Sequence, residues 1–163
     1  MTDFLGSALP LSQDGLDEAT DALGTTTPTL WAVVSVETHG CGFLADRRPA
    51  ILFERHIFHR RTHGAFDNAA PDISSSSAGG YLGGAAEYTR LERAIALDRE
   101  AAVESASWGL GQIMGFNASV TRFKTAESMI DAMMRGEDAH LQAMTDFLVA
   151  RRLDKPLAKR DWA

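Results

Sequence analysis

Pro28-Thr-Leu-Trp-Ala-Val-Val-Ser-Val-Glu37-Thr-His-Gly40-Cys-Gly-Phe-Leu44 is the stretch on which the reading of the whole chain turns. Thr27 followed by Pro28 predicts a helix start, because a side-chain cap precedes a residue whose missing N–H costs nothing in the first turn. Leu30, Val33 and Val34 then recur at helical spacing and form an apolar stripe. Glu37 lies seven residues after Leu30, almost two turns on, and falls on that stripe. Gly40 and Gly42 end the helix just beyond it. A carboxylate at the end of an apolar face loses solvation, which raises its pKa and suits it to act as a general acid near neutral pH. A snorkelling or ion-paired glutamate fits the same periodicity, and for a lone Glu it is the commoner case.

Composition bounds the rest. The 163 residues predict a single domain with a normal core, and 45% hydrophobic and 23% charged residues are ordinary for a globular protein. A net charge of -6 leaves no basic footprint, so neither nucleic acid nor an anionic surface is an expected partner on charge alone. Cys41 is the single cysteine, so no internal disulfide can form. No apolar run approaches 18 residues and Met1 to Pro10 lacks a signal-like pattern, so neither membrane insertion nor a secretory signal is expected.

Residues 1–11 read as a loose tail and 12–163 as the folded domain. Ser12 caps a helix over Gln13 to Leu23 that Gly24 stops, and the helix of Pro28 to Thr38 follows. Gly42 to Ala45 and Ala50 to Phe53 flank Asp46-Arg-Arg-Pro49 as a small hairpin, with a short helix over Glu54 to Arg61. Residues 62–84, rich in Gly and Ser, form a long loop of a kind that is usually functional or disordered. Tyr81 in its midst suits ligand stacking or loop anchoring. Helices follow from Tyr88 to about Asp98 and over Glu100 to Ser105. Ser107 to Gly115 is turn-rich and enters a short helix at Trp108. Thr125 caps a helix bearing Met129 and Met133, Gly136 interrupts it, and Leu141, Met144 and Leu148 carry the pattern to about Arg152, before Lys155-Pro156 ends the run. The fold class is mainly α (α+β), with one small β-hairpin.

Three constellations compete for chemistry. His56, His59 and His63 share a helical face at i, i+3, i+7, but the metalloprotease spacing is absent and Arg55, Arg60 and Arg61 repel a cation, so no metal and no cofactor is expected. Cys41 follows a helix C-terminus, where the dipole disfavours a thiolate. Glu37 and Glu54 are stronger, since two carboxylates on facing elements are the usual equipment of glycoside hydrolysis. A structural role for Glu54, paired with Arg55 or a backbone N–H, fits the sequence equally well. Trp108 suits stacking on a sugar and Gln112 suits an acetamido group; burial of Trp108 in the core and a loop-tying Gln112 are the alternatives, favoured while the segment is taken alone.

Val36-Glu37-Thr38-His39-Gly40-Cys-Gly-Phe-Leu44 and Arg48-Pro-Ala-Ile-Leu-Phe-Glu54-Arg-His56 together resemble the N-acetylmuramidase domain of bacteriophage endolysins. So do Gly79-Gly80-Tyr81, Ser105-Ala-Ser-Trp108-Gly-Leu-Gly-Gln112-Ile-Met-Gly115-Phe-Asn117 and the closing Asp161-Trp162-Ala163. The likeness runs from about residue 10 to the end. It implies a lysozyme-like helical fold and cleavage of the β-1,4 bond between N-acetylmuramic acid and N-acetylglucosamine in peptidoglycan glycan strands. Glu37 matches the catalytic acid and Glu54 the glutamate of a Leu-Phe-Glu-Arg-His motif. Phe43, Tyr81, Ser107, Trp108, Gln112, Met114 and Asn117 are the expected substrate-binding residues. A monomer made in a host cytoplasm and acting on the cell wall, in the periplasm, is what this resemblance leads one to expect.

Glu37-Thr38 and Gly109-Leu-Gly-Gln112-Ile are also similar to segments of lytic transglycosylases, which use one glutamate and leave a 1,6-anhydro product. A truncated, non-catalytic peptidoglycan-binding protein is the third alternative. Arg47 stands where the family has a turn glycine, and Gly111 where a bulky residue is usual. The family's Tyr-Asn-Gly segment, which lines the cleft, has no counterpart before Ala163, so a catalytic domain without it is expected.

Overall fold

In a computed structural model, residues 4–37 and 41–159 are described. The order is α1 (Gln13–Leu23), α2 (Thr27–Glu37), β1 (Ile51–Phe53), α3 (Arg55–Arg61), α4 (Ala86–Leu97), α5 (Arg99–Glu104), β2 (Ala106–Trp108), β3 (Ile113–Met114), a 3-10 helix (Gly115–Val120), α6 (Ala126–Met133), α7 (Glu137–Ala150) and α8 (Asp154–Lys159). Helices dominate and one antiparallel sheet, ordered β1-β2-β3, sits among them. This is the mainly helical α+β arrangement that the sequence leads one to expect, with its strands paired differently.

The hairpin expected between residues 42 and 53 contracts to a single bridge, Phe43 to Pro49. Its returning strand pairs instead with the Ser107 segment, Ile51 opposite Trp108 and Phe53 opposite Ala106. That segment is therefore not a helix entry: β2 turns at residues 109–112 and pairs back as β3, Trp108 opposite Ile113. Gly109, at φ +66, makes the turn possible in a conformation that a side chain resists. Arg47, also left-handed at φ +72, is kept there by its guanidinium, which donates to the Gly6 carbonyl at 2.6 Å.

Start and stop signals act where chemistry requires them. Ser12 Oγ accepts the Gly15 N–H at 3.0 Å and Gly24 closes α1 in the left-handed region. Pro156 does not end the chain's helical structure. It sits in the first turn of α8, where no N–H is needed.

The core centres on Trp108, which is 0% exposed. Its ring meets Phe4 at 5.5 Å, and Phe4 meets Tyr88 at the same distance. The loose tail expected at residues 1–11 is thus corrected from Phe4 onward. Phe4 plugs the core, and Leu9 bridges Gly136 in parallel. An aromatic ring this deep gains several kcal/mol from burial, which fixes an otherwise unstructured segment.

Candidate active site

Leu30 and Val34 bury one side of α2. Val33 borders a cavity of about 210 Å³ together with Gln112, Met114, Asn117, Met144 and Phe147. Glu37 is the last residue of α2, one helical turn beyond Val33. Its side chain, with Thr38, His39 and Gly40, lies outside the described residues. The cavity is smaller than the ~300–1,000 Å³ of typical ligand pockets. It therefore suits one group of an extended substrate.

The polar wall of this corner is the β2–β3 turn. Gln112, at φ +45, accepts from Ser107 Oγ at 2.7 Å, and its amide nitrogen donates to the Gly109 carbonyl at 2.8 Å. Asn117 accepts from Arg151 at 3.2 Å. Behind the turn stands His140, fully buried, which the sequence reading missed. Its Nδ1 accepts the Leu110 N–H at 3.0 Å and its Nε2 donates to the Met133 carbonyl at 2.9 Å. A backbone donor on one nitrogen and a carbonyl on the other define the neutral tautomer. Burial lowers the His140 pKa to about 4. Any Cβ on Gly42 or Gly109 would come within 2.4 Å of His140 Nδ1. Glu137 completes the brace by accepting the Gly42 N–H at 2.7 Å. Two glycines at positions 42 and 109 were the available signal, but neither names the histidine that fills their space.

Glu54 forms a second corner at the other end of β1. Its N–H donates to the Ser105 carbonyl at 2.9 Å, and its carbonyl accepts from Ile57 and Phe58 at the start of α3. The carboxylate makes no cap bond. It accepts the Tyr81 hydroxyl at 2.8 Å and lies 3.1 Å from His56 Nδ1. Donating that bond and losing solvent both raise the Tyr81 hydroxyl above its usual pKa, the hydrogen bond being the larger cause. Arg55 donates to the Ser77 and Ala78 carbonyls at 2.8 and 3.0 Å, so the loop is tied down before Tyr81. Gln112 reaches towards the Ala50 carbonyl. The three residues of β1 lie between Ala50 and Glu54, four steps along the chain and a span of about 13 Å. The structure thus brings Glu54 to Tyr81, and Ser107 to Gln112, at two separated corners.

Residues 26–163 match the family model described as Muramidase, N-acetylmuramidase. The chain belongs to the N-acetylmuramidase family. This muramidase-family chain is also similar to the crystal structure of a Burkholderia AP3 phage endolysin, with TM-score 0.86 and 37% sequence identity over 93% of this chain and 59% of the other. The chain therefore spans well under two thirds of that endolysin. No curated protein sequence matches it.

Within this muramidase fold, two of the expected substrate contacts are corrected. Trp108 has no free face for a sugar, since Phe4 packs on it and its indole N–H donates to the Val103 carbonyl at 2.9 Å. Phe43 is half-buried and packs on His140 at 4.7 Å, so it braces the turn. Ser107 is buried, with its hydroxyl committed to Gln112. Tyr81 is 45% exposed. Met114 and Asn117 remain at the cavity wall. The three histidines do not converge: His59 binds Asp67 at 2.8 Å, His56 lies by Glu54, and His63 is exposed. Among the described residues no cluster of His, Cys, Asp or Glu could hold a metal ion. No helix among them is long and apolar enough to cross a membrane.

Proposed function

We propose that this chain is a peptidoglycan hydrolase of the endolysin type, cleaving the β-1,4 bond between N-acetylmuramic acid and N-acetylglucosamine. The observation that carries the proposal is the placement of Glu37 at the end of α2, one turn beyond Val33. There the helix borders the cavity shared with Gln112, Met114 and Asn117 in a chain of this family. Glu37 gives its proton to the glycosidic oxygen as the bond to the sugar carbon breaks, and one sugar leaves as the alcohol. Water adds to that carbon, its proton passing to a carboxylate. Glu54 orients this water or faces the developing positive charge. Met114 and Asn117 shape the cleft at one corner and Tyr81 at the other. The substrate is the glycan strand of the cell wall, reached from a host cytoplasm, and a monomer suffices.

The test is release of soluble fragments from purified peptidoglycan. Glu37→Gln should lower the rate by roughly 10³-fold, within the range for losing a general acid, with unchanged thermal unfolding. Wild-type rates in that variant would remove the assignment. A single-glutamate transglycosylase is the second reading, favoured by one observation: Glu54 already holds Tyr81 and lies about a strand's length from Gln112. Mass spectrometry of the fragments separates the two, since reducing ends mark hydrolysis and 1,6-anhydro ends mark transglycosylation. Glycan binding with no fragments released would favour a non-catalytic binder instead.

A further inference from the structure

Among the described residues, a buried pair of charged groups is unused by the mechanism above. Glu87, in the first turn of α4, is 0% exposed, and Arg90 one turn later is 3% exposed. An ion pair this deep gains little net stability against its desolvation, so its placement asks for another explanation. Its partners supply one. One Glu87 oxygen accepts the Leu82 N–H at 2.5 Å and the Gly83 N–H at 3.0 Å, both in the loop that carries Tyr81. The other accepts the Phe53 N–H at 3.2 Å and Arg90 at 2.8 Å. Arg90 also donates to the Phe53 carbonyl at 2.8 Å. Phe53 is the residue before Glu54, and Leu82 and Gly83 are the two residues after Tyr81. The same carboxylate therefore touches the backbone beside both members of the Glu54–Tyr81 contact. A Cβ on Gly83 or Gly84 would meet open space, so steric packing does not hold these two positions.

We infer that the buried Glu87–Arg90 pair is a positioning device that registers the Tyr81 loop against the end of β1, so that the Tyr81 hydroxyl meets the Glu54 carboxylate. The inference rests on the reading of Glu54 as a participant in glycan cleavage. Neither Glu87 nor Arg90 touches substrate; both act through Glu54 and Tyr81. Burial pushes the Glu87 carboxyl up, but the Gly83, Leu82 and Phe53 N–H groups and Arg90 outweigh it and hold it ionised below its usual range.

The experiment is a double-mutant cycle on the full chain. Glu87→Asp keeps the charge beside Arg90 and withdraws the carboxylate from the loop, which spares the fold the unpaired arginine that Glu87→Gln would leave. Tyr81→Phe removes only the hydroxyl. Each should slow fragment release by about tenfold, of the order expected for a misplaced group. The double variant should be no slower than the slower single one, because both break the same contact. Hydrogen exchange at the Leu82 and Gly83 amides should accelerate in Glu87→Asp and not in Tyr81→Phe. Losses that multiply to about a hundredfold, or unchanged exchange in Glu87→Asp, overturn the inference. Full activity in Glu54→Gln marks failure of the underlying reading. It is recognised by accelerated exchange in Glu87→Asp with rates unchanged throughout, and it removes the catalytic purpose of the clamp as well.

Discussion

The Gln112 turn and the Tyr81 loop flank the same three strands, yet they are held in opposite ways. At the Gln112 turn the direct restraints are uncharged and sterically tight: a neutral His140 between two glycines, a serine hydroxyl and a side-chain amide, with the Glu137 carboxylate one step behind them on the Gly42 N–H. At the Tyr81 loop they are ionic and roomy, with a buried Glu87–Arg90 pair holding a segment whose Gly83 and Gly84 have open space around them. Shape fixes the first corner and charge the second. The first should therefore be sensitive to volume and to acid protonation of one ring, and the second to loss of a carboxylate.

Trp108 is where the two corners share a foundation, since it pairs with Ile51 on β1 and leads directly into Gly109. Trp108→Ala should cost about 3–5 kcal/mol, the usual range for emptying a large aromatic site, measured by denaturant unfolding. It should loosen hydrogen-exchange protection at both corners. A loss under about 1 kcal/mol would mean that the ring has an open face after all, and would restore a sugar-stacking role.

How much of this was legible in the sequence depends on the range of the interactions involved. α1 was readable because Ser12 and Gly24 act on their own helix. The start of α2 was readable to one residue for the same reason, since Pro28 acts on its own first turn. The β2–β3 pair was not, because strands of three and two residues carry no alternation and two glycines in the turn look like plain loop. Trp108 was misplaced because Phe4, more than a hundred positions away, is what seals it. Tyr81 and Glu54 were each singled out, but their contact spans 27 positions and depends on Glu87, which reads from sequence as one more charge on a helix surface. Interactions that close within a turn of the chain are written locally; the two corners are not.

Acid distinguishes the corners further. The His140 pKa is lowered from 6.5 to about 4 in the folded protein. The fold thus prefers the neutral ring, and the stability from that preference is complete above pH 6.5. It drains away as pH falls from about 6.5 towards 4, by about 3 kcal/mol in all. Protonation puts a second N–H on the nitrogen that accepts from Leu110, so the loss centres on the Gln112 turn. The Glu87 carboxyl, held below its usual range, keeps its contribution until lower pH. Thermal unfolding between pH 7 and 4 should therefore fall for the wild type and stay much flatter for His140→Gln, itself less stable at neutral pH. Parallel slopes would show that His140 is not the group that titrates.

The smallest expected effect tests whether the Gln112 turn really depends on uncharged bonds one at a time. Ser107→Ala removes the donor that Gln112 Oε1 accepts from, at a site where Ser107 is only 6% exposed. The methyl group of alanine fits the space, so the loss is a single neutral hydrogen bond and a half-buried amide oxygen left without that donor. That is worth about 1 kcal/mol. Gln112 retains its bond to the Gly109 carbonyl, so the turn should hold and the rate of fragment release should change by less than about fivefold. Exchange should quicken at Gly109 to Gln112 and remain unchanged at Leu82 and Gly83. If the Tyr81 loop loosened as well, the two corners would be one mechanical unit, and the separation of about 13 Å along β1 would not insulate them.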